Sequence, residues 1–412
     1  MSEPDILGRS EQGGPTGLLD AVLLKIVAWS LPADLSGRIR LTLPSGRSAV
    51  FGRAGGVDAA LTLRNYAVIR KATRRGALGF ADAYMAGDID PRDLADVLRF
   101  FIDNRPRLVG ASRGLFGVRL SDRLYHRSRR NTRAGSRRNI AAHYDLGNAF
   151  YQRWLDGGLA YSSGLYRTGV ETLEDAQAEK NKAIIAALDL RPGHRLLEIG
   201  CGWGGLAELA GRAGAEVTAI TVSAEQHAYA SERIARAGLG DRVEIRFQDY
   251  RDTPGTFDRI ASVEMIEAVG EEHWPRYFET LASRLSDDGI AVLQAITIRE
   301  ESFPHYRRKP DFIQRFVFPG GMLPTKTLMR EHAEAVGLTC ETVSTFGSSY
   351  ARTLAEWRRR FEAAWPEIQA LGFDERFRRL WHYYLVYCQV GFERGVINVG
   401  HYRLTKRSDS RN

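Results

Sequence analysis

The stretch Leu196-Leu197-Glu198-Ile199-Gly200-Cys201-Gly202-Trp203-Gly204-Gly205 decides the fold. An apolar run ends in an acid and passes through alternating glycines into a helix-forming segment. Glycine lets the chain turn sharply off a strand and approach a ligand that a Cβ would exclude. The N-terminus of the following helix adds its positive dipole end. A plain tight turn would carry glycines too. The turn reads as a cofactor cradle because a strand precedes it and a helix follows, inside a repeating β-then-α pattern.

That pattern runs outward in both directions. Helix 176–188 precedes strand 195–199, helix 205–213 precedes strand 215–221, and helix 224–237 precedes strand 243–248. Strand 257–263, helix 271–285 and strand 289–298 continue it. Strands alternating with helices at this spacing predict an α/β fold with a parallel, doubly wound sheet and a ligand at the carboxyl ends of its strands. An insertion, 299–324, follows, with Arg307-Arg308-Lys309 and the loop Phe318–Pro324. Helices at 353–370 and 374–392 and a strand at 396–403 close the chain.

The strand ends distinguish between cofactors. A dinucleotide site places an acid about 20 residues after the glycine turn. Here strand 215–221 ends in Thr221-Val222-Ser223-Ala224-Glu225-Gln226, which offers hydroxyls and an amide. The next ends in Gln248-Asp249-Tyr250, where Asp249 and Tyr250 are placed to hold and cover an adenine. These groups favour S-adenosylmethionine (SAM) over a nicotinamide dinucleotide, although Ser223 alone reads equally well as a helix cap.

Upstream, residues 18–108 form a small α+β unit: an apolar helix Leu18–Trp29, a hairpin around Pro44-Ser45-Gly46, and helices at Tyr66–Arg74 and Leu94–Ile102. Residues 1–17 read as a disordered lead. The net charge of +8 is unevenly spread, for residues 111–140 hold nine arginines against one acid, Asp122. A solvated linker, a nucleic acid or an anionic bilayer would each suit that segment. Cys201, Cys340 and Cys388 form neither a metal-type cluster nor a disulfide framework, which suits a reducing compartment. Neither a signal peptide nor an apolar run of about 20 residues is present, so a cytoplasmic protein, or one peripheral to the inner face of a membrane, is expected.

The motifs, taken in order, resemble one family. They are Ala142-His-Tyr-Asp-Leu-Gly-Asn148, Tyr161-Ser162-Ser163, Leu197–Gly205, Thr221–Gln226, Gln248-Asp-Tyr-Arg-Asp252, Met265-Ile-Glu-Ala-Val-Gly270, Phe318–Pro324 and Tyr350-Ala-Arg-Thr-Leu354, with Leu78–Asp88 in the small unit. Together they resemble the cyclopropane fatty acid synthases, including the mycolic-acid cyclopropane synthases and related lipid C-methyltransferases. The resemblance implies a Rossmann-like class I SAM methyltransferase domain over 141–405, with 299–324 as an acyl lid and 109–140 as a linker. It implies SAM held by Tyr161, Ser162, Glu198, Gly200, Gly202, Gly204, Thr221, Ser223, Gln226, Asp249 and Tyr250. The implied reaction adds the SAM methyl to a cis double bond of a lipid acyl chain, forming a carbocation that loses a proton. Loss from the added methyl closes a cyclopropane; other outcomes give a methyl or methylene branch.

In that family a bicarbonate ion, held by a cysteine, a glutamate, a histidine and a tyrosine, takes the proton. Here Glu267 matches the glutamate and Tyr350 the tyrosine, but Ser163 stands at the cysteine position and Gln294 at the histidine position. Ala268 follows the glutamate where a histidine is usual. A second acid, Glu264, stands where glycine is common. If the segment is helical, Glu264 and Glu267 share a face, and like charges that close would raise one pKa and create a protein-borne base; Glu264 facing solvent or an arginine is the alternative. Ser163 and Gln294 remain able to hydrogen-bond an anion, so bicarbonate stays open. An unsaturated phospholipid at an anionic membrane surface is the expected partner, nucleic acid is not, and a homodimer is left open.

Overall fold

The computed structural model describes residues 15–32, 34–111 and 146–407. The arginine-rich segment 112–140 and the motif residues 142–145 lie outside them. The chain folds as two compact units.

The first unit contains α1 (Pro15–Ser30), β1 (Arg38–Thr42), β2 (Ser48–Gly52), β3 (Asp58–Leu63), α2 (Ala67–Met85), β4 (Ile89–Pro91), α3 (Leu94–Asp103) and α4 (Arg105–Ala111). Its sheet has the order β2-β1-β3-β4. The expected hairpin forms, with Thr42 opposite Ser48. β3, which carries no hairpin signal of its own, pairs parallel to β1. The helix Glu375–Glu393 also belongs to this unit. Asp374 caps it through the Phe377 N–H, the Tyr383 ring lies 6.5 Å from Phe80 and 5.7 Å from Tyr84, and Arg99 grips Glu393 with two bonds of 2.8 and 3.0 Å. Apolar periodicity marks this segment as helical but does not say which body it packs on, and its place in the sequence puts it within the range read as the larger domain.

The second unit is built on a seven-stranded sheet. Its strands are β5 (Arg195–Ile199), β6 (Glu216–Thr221), β7 (Val243–Phe247), β8 (Phe257–Val263), β9 (Leu285–Ile298), β10 (Glu341–Thr345) and β11 (Ile397–Thr405), in the order β10-β11-β9-β8-β5-β6-β7. The five strands from β9 to β7 are parallel, as expected. β11 enters antiparallel beside β9, and β10 antiparallel beside β11, so the sheet is mixed rather than wholly parallel. β5 and β8 lie at its centre.

Apolar residues of the central strands alternate between two cores, as the period of two requires. Leu196 joins one with Ile184, Leu206, Ala210 and Ile234, and Leu197 and Ile199 join the other with Trp274, Phe278, Leu281 and Met329. The covering helices are α6 (Leu173–Ala187), α7 (Gly205–Arg212), α8 (Ala224–Arg236), α10 (Trp274–Arg284) and α12 (Lys326–Ala335), with short turns α5 (Asn148–Tyr151), α9 (Ile266–Val269) and α11 (Phe303–Tyr306). Thr172 and Asp175 form a reciprocal capping box that starts α6. The helix expected over 353–370 is two helices, α13 (Gly347–Ala363) and α14 (Trp365–Ala370), because Pro366 cannot donate to a preceding carbonyl.

Candidate active site

The glycine turn behaves as its composition demands. Gly200 (φ 81°) and Gly202 (φ 52°) are both left-handed. A Cβ at Gly200 would run into the Met265 side chain, whereas one at Gly202 would meet no atom of the described residues within 4 Å. Gly202 therefore leaves a cradle that a side chain would fill. The turn opens into a cavity of about 410 Å³. Of the residues assigned to the cofactor, Tyr161, Ser162, Glu198, Gly200, Gly202, Thr221, Gln226, Asp249 and Tyr250 line it.

Gly204 and Ser223 do not line the cavity. Gly204 is the left-handed residue that starts α7, and a Cβ there would stand 3.1 Å from the Ala230 methyl. Ser223 caps α8, accepting from the Gln226 N–H at 3.3 Å. The Asp249 carboxylate receives both arms of Arg251, at 2.8 and 2.6 Å. Three buried acceptors in the wall, Gln177 Oε1, Asn181 Oδ1 and Glu198 Oε2, bond to no group among the described residues. Orphaned acceptors beside an open glycine cradle fit a cofactor that carries an ammonium and ribose hydroxyls. Burial pushes Glu198 up to about 8, with Lys180 opposing the rise.

The chemical end of the cavity is organised around Glu264. It is not helical: it follows β8 at φ 50°, and α9 begins only at Ile266. The expectation that Glu264 and Glu267 share a helical face is therefore overturned, because the left-handed residue turns the chain before the helix starts. A non-glycine residue at such a φ costs roughly 1–2 kcal/mol. The fold over-determines it through three donors and a ladder bond. Ser163 N–H and Gln294 Nε2 donate to Oε1 at 2.9 and 2.8 Å, Tyr350 Oη donates to Oε2 at 2.6 Å, and Glu264 N–H donates to Gln294 O at 2.7 Å.

Ser163 acts through its backbone and not through the hydroxyl that its residue type suggested. Its Oγ donates instead to Gly164 O at 2.8 Å. Gln294 is fixed in turn by a residue to which no sequence motif points. His401, directly opposite in the β9–β11 ladder, meets Gln294 Oε1 with Nε2 at 3.0 Å. Burial holds His401 down to about 4, so the imidazole is neutral and Nε2–H donates. A histidine thus stands one strand away from the position where the resemblance expects one, on the far side of the glutamine.

Glu267 lies on α9. Its Oε1 accepts the Ile296 N–H, while its buried Oε2 has no partner among the described residues. Burial, and then the nearby Glu264 charge, pushes it up to about 8. Burial also raises Glu264, but the bonds from Tyr350, Ser163 and Gln294 and the charge of Lys180 oppose that rise. The two carboxyls are thereby differentiated: both are raised by burial, but only Glu264 carries side-chain hydrogen bonds and a nearby lysine charge that favour its anion.

Aromatic rings back part of the wall, which Tyr161 and Trp203 line. The Tyr161 ring lies 5.4 Å from both Tyr151 and Trp357 in tilted contacts, Tyr151 lies 5.2 Å from Trp203, and Trp357 lies 6.1 Å from Tyr350. Such a wall keeps water out and presents π-faces to a cation.

Comparison with known proteins agrees with this geometry. The family model for mycolic acid cyclopropane synthetase matches residues 131–402. The chain is 37% identical over 349 residues to tuberculostearic acid methyltransferase UfaA1 of Mycobacterium tuberculosis, covering 82% of this chain and 81% of the relative. It is 35% identical over 364 residues to the cyclopropane-fatty-acyl-phospholipid synthase of Escherichia coli K12, covering 84% and 90%. Among solved structures, mycolic acid cyclopropane synthase CmaA1 with SAH and CTAB aligns with a TM-score of 0.62 at 29% identity, over 66% of this chain and 98% of that one. With a SAM cradle, a fold and relatives in common, the chain belongs to the cyclopropane and mycolic acid synthase family of SAM-dependent lipid methyltransferases.

Proposed function

We propose that this enzyme methylates the cis double bond of an unsaturated phospholipid acyl chain and that Glu264 takes the proton that closes the product to a cyclopropane. SAM, when bound in the glycine cradle, would supply an electrophilic methyl, the S–CH3 bond pair returning to sulfur as the neutral thioether leaves. The alkene π pair forms the bond to that methyl, leaving a cation on the neighbouring chain carbon. A methyl C–H pair then closes the ring, and its proton passes to the Glu264 carboxylate. An alkene is a poor nucleophile, so alignment and the exclusion of water carry much of the barrier reduction.

The observation behind this reading is the carboxylate of Glu264, seated on Ser163 N–H, Gln294 Nε2 and Tyr350 Oη. Those are the positions that the family resemblance assigns to bicarbonate. With their donors already taken by a side chain, the residues present do not fit a separate bicarbonate, and the proton has no need of one. A second reading, in which the cation shifts before the proton leaves and a methylene branch results, which a separate hydride donor would have to reduce to give a methyl branch, is favoured by the departures at Ser163, Glu264 and Gln294 and by the UfaA1 relative, a methyltransferase by name. Mass spectrometry and proton NMR of the fatty acids from cells with and without the gene test both. Cyclopropane ring protons support the first reading, vinylidene protons or a saturated branch support the second, and unchanged lipids overturn both.

The reading extends to an anionic membrane surface. Along α1, Leu19, Val22, Ile26 and Trp29 are 69, 47, 54 and 88% exposed at helical spacing, with exposed Lys25 among them. An apolar stripe with a terminal tryptophan and a basic residue suits the interface of a bilayer, and the chain's net charge of +8 suits anionic head groups. Among the described residues no helix is long and apolar enough to cross a membrane.

A further inference from the structure

Lys180 lies on α6, is 4% exposed, and lines the cofactor cavity. A lysine buried this completely is costly unless its charge is matched. Burial pulls its pKa below the ordinary lysine value, and the charges of Glu264, Asp156 and Glu198 oppose that fall. Its ammonium donates to Ser162 Oγ at 3.1 Å, and one turn earlier on the same helix Gln177 Nε2 donates to Ser162 O at 2.7 Å. Ser162 sits in a strap pinned at both ends, by Asp156 accepting from Gly158 and Ala160 N–H and by Thr353 Oγ1 accepting from Gly164 N–H. The next residue along that strap, Ser163, contributes the N–H that holds Glu264 Oε1.

The groups facing Glu264 come from every side. Tyr350 approaches from α13, Gln294 from β9 backed by His401 of β11, Glu267 from α9, Ser163 from the strap and Lys180 from α6. Among them Lys180 supplies the positive charge. We infer that Lys180 is a positioning residue for the base: it clamps, through Ser162, the strap whose Ser163 N–H seats Glu264, and it brings a positive charge to that carboxylate's surroundings. This inference rests on the reading of Glu264 as the base.

The test is the pH profile of kcat for the full chain, acting on vesicles of anionic, cis-unsaturated phospholipid with SAM. Lys180→Met removes the charge, so the acid limb should move to higher pH by about one unit or more, with kcat falling most below that limb. Lys180→Arg should keep the wild-type limb. Lys180→Gln retains a donor for Ser162 without the charge, so it should shift the limb as Lys180→Met does, with a smaller loss of kcat at high pH. It also serves where the methionine variant fails to fold. A wild-type acid limb in either neutral variant overturns the inference. Failure of the underlying reading looks different: Glu264→Gln would then stay active, whatever Lys180 does.

Discussion

Tyr350 Oη and Gln294 Nε2 grip opposite oxygens of the Glu264 carboxylate, at 2.6 and 2.8 Å. The pair leaves the carboxylate little freedom, so it stays fixed in the cavity wall, facing the cofactor cradle. If this carboxylate is the base, Glu264→Gln keeps the shape and SAM affinity, and turnover falls by roughly 10²–10⁴-fold. Wild-type turnover in carbonate-stripped buffer should match that in bicarbonate. Ser163→Ala should stay near wild type, because only its backbone N–H reaches Glu264. A steep loss in Ser163→Ala would place the hydroxyl in the mechanism and refute this arrangement.

Gly202→Val should abolish SAM binding in calorimetry. Among the described residues no atom lies within 4 Å of where a Cβ on Gly202 would stand, so a branched side chain there should take space meant for the cofactor. Its left-handed φ of 52° adds backbone strain for valine. Undiminished SAM affinity in this variant would place the cofactor elsewhere.

What the sequence made legible follows from how local each signal is. The glycine turn, the helix–strand alternation and the strand-end residues are set by adjacent residues, and they led directly to the parallel core and to most of the cavity wall. The mixed edge was not legible, because β11 pairs with β9, a strand far earlier in the chain, and nothing local encodes its direction. The same distance hid the Gln294–His401 pair: both strands were expected, but their register was not. Glu264 stands out as an odd acid, but a helical spacing argument places it wrongly because a left-handed turn leaves no mark in residue type. Lys180 lies in an ordinary amphipathic segment, and only its burial reveals it.

Glu267 should make the cofactor-free enzyme less stable as pH rises. Its folded value of about 8 lies above the ordinary 4.5, so between these values the folded state holds a proton that the unfolded chain has released. More protons bound in the native state means that stability falls with pH across that window. Glu267→Gln removes this dependence. The melting temperature of the variant, relative to wild type, should therefore climb from about pH 5 to about pH 8. A constant difference would show that Glu267 is already ionised in the fold.

Membrane attachment should have both an apolar and an electrostatic part. Sedimentation with anionic vesicles should weaken as salt rises from low values past physiological strength, where the Debye length falls to about 8 Å. Trp29→Ser together with Leu19→Ser should weaken it further, at all salt concentrations. Binding that ignores salt, lipid charge and both substitutions would exclude α1 as the docking face.

The clearest separation of a protein-borne base from a bound anion is Glu264→Gly. Glycine tolerates the φ of 50° without penalty, so the turn into α9 should survive. The substitution frees Ser163 N–H, Gln294 Nε2 and Tyr350 Oη together and leaves a space the size of a carboxylate between them. Turnover should collapse as in Glu264→Gln, and added bicarbonate or formate should then restore part of it, saturably. The same anions should do nothing for wild type or for Glu264→Gln, where a side chain fills the space. Bicarbonate stimulating wild type as strongly as the glycine variant would mean that the anion binds elsewhere and that Glu264 is not its replacement.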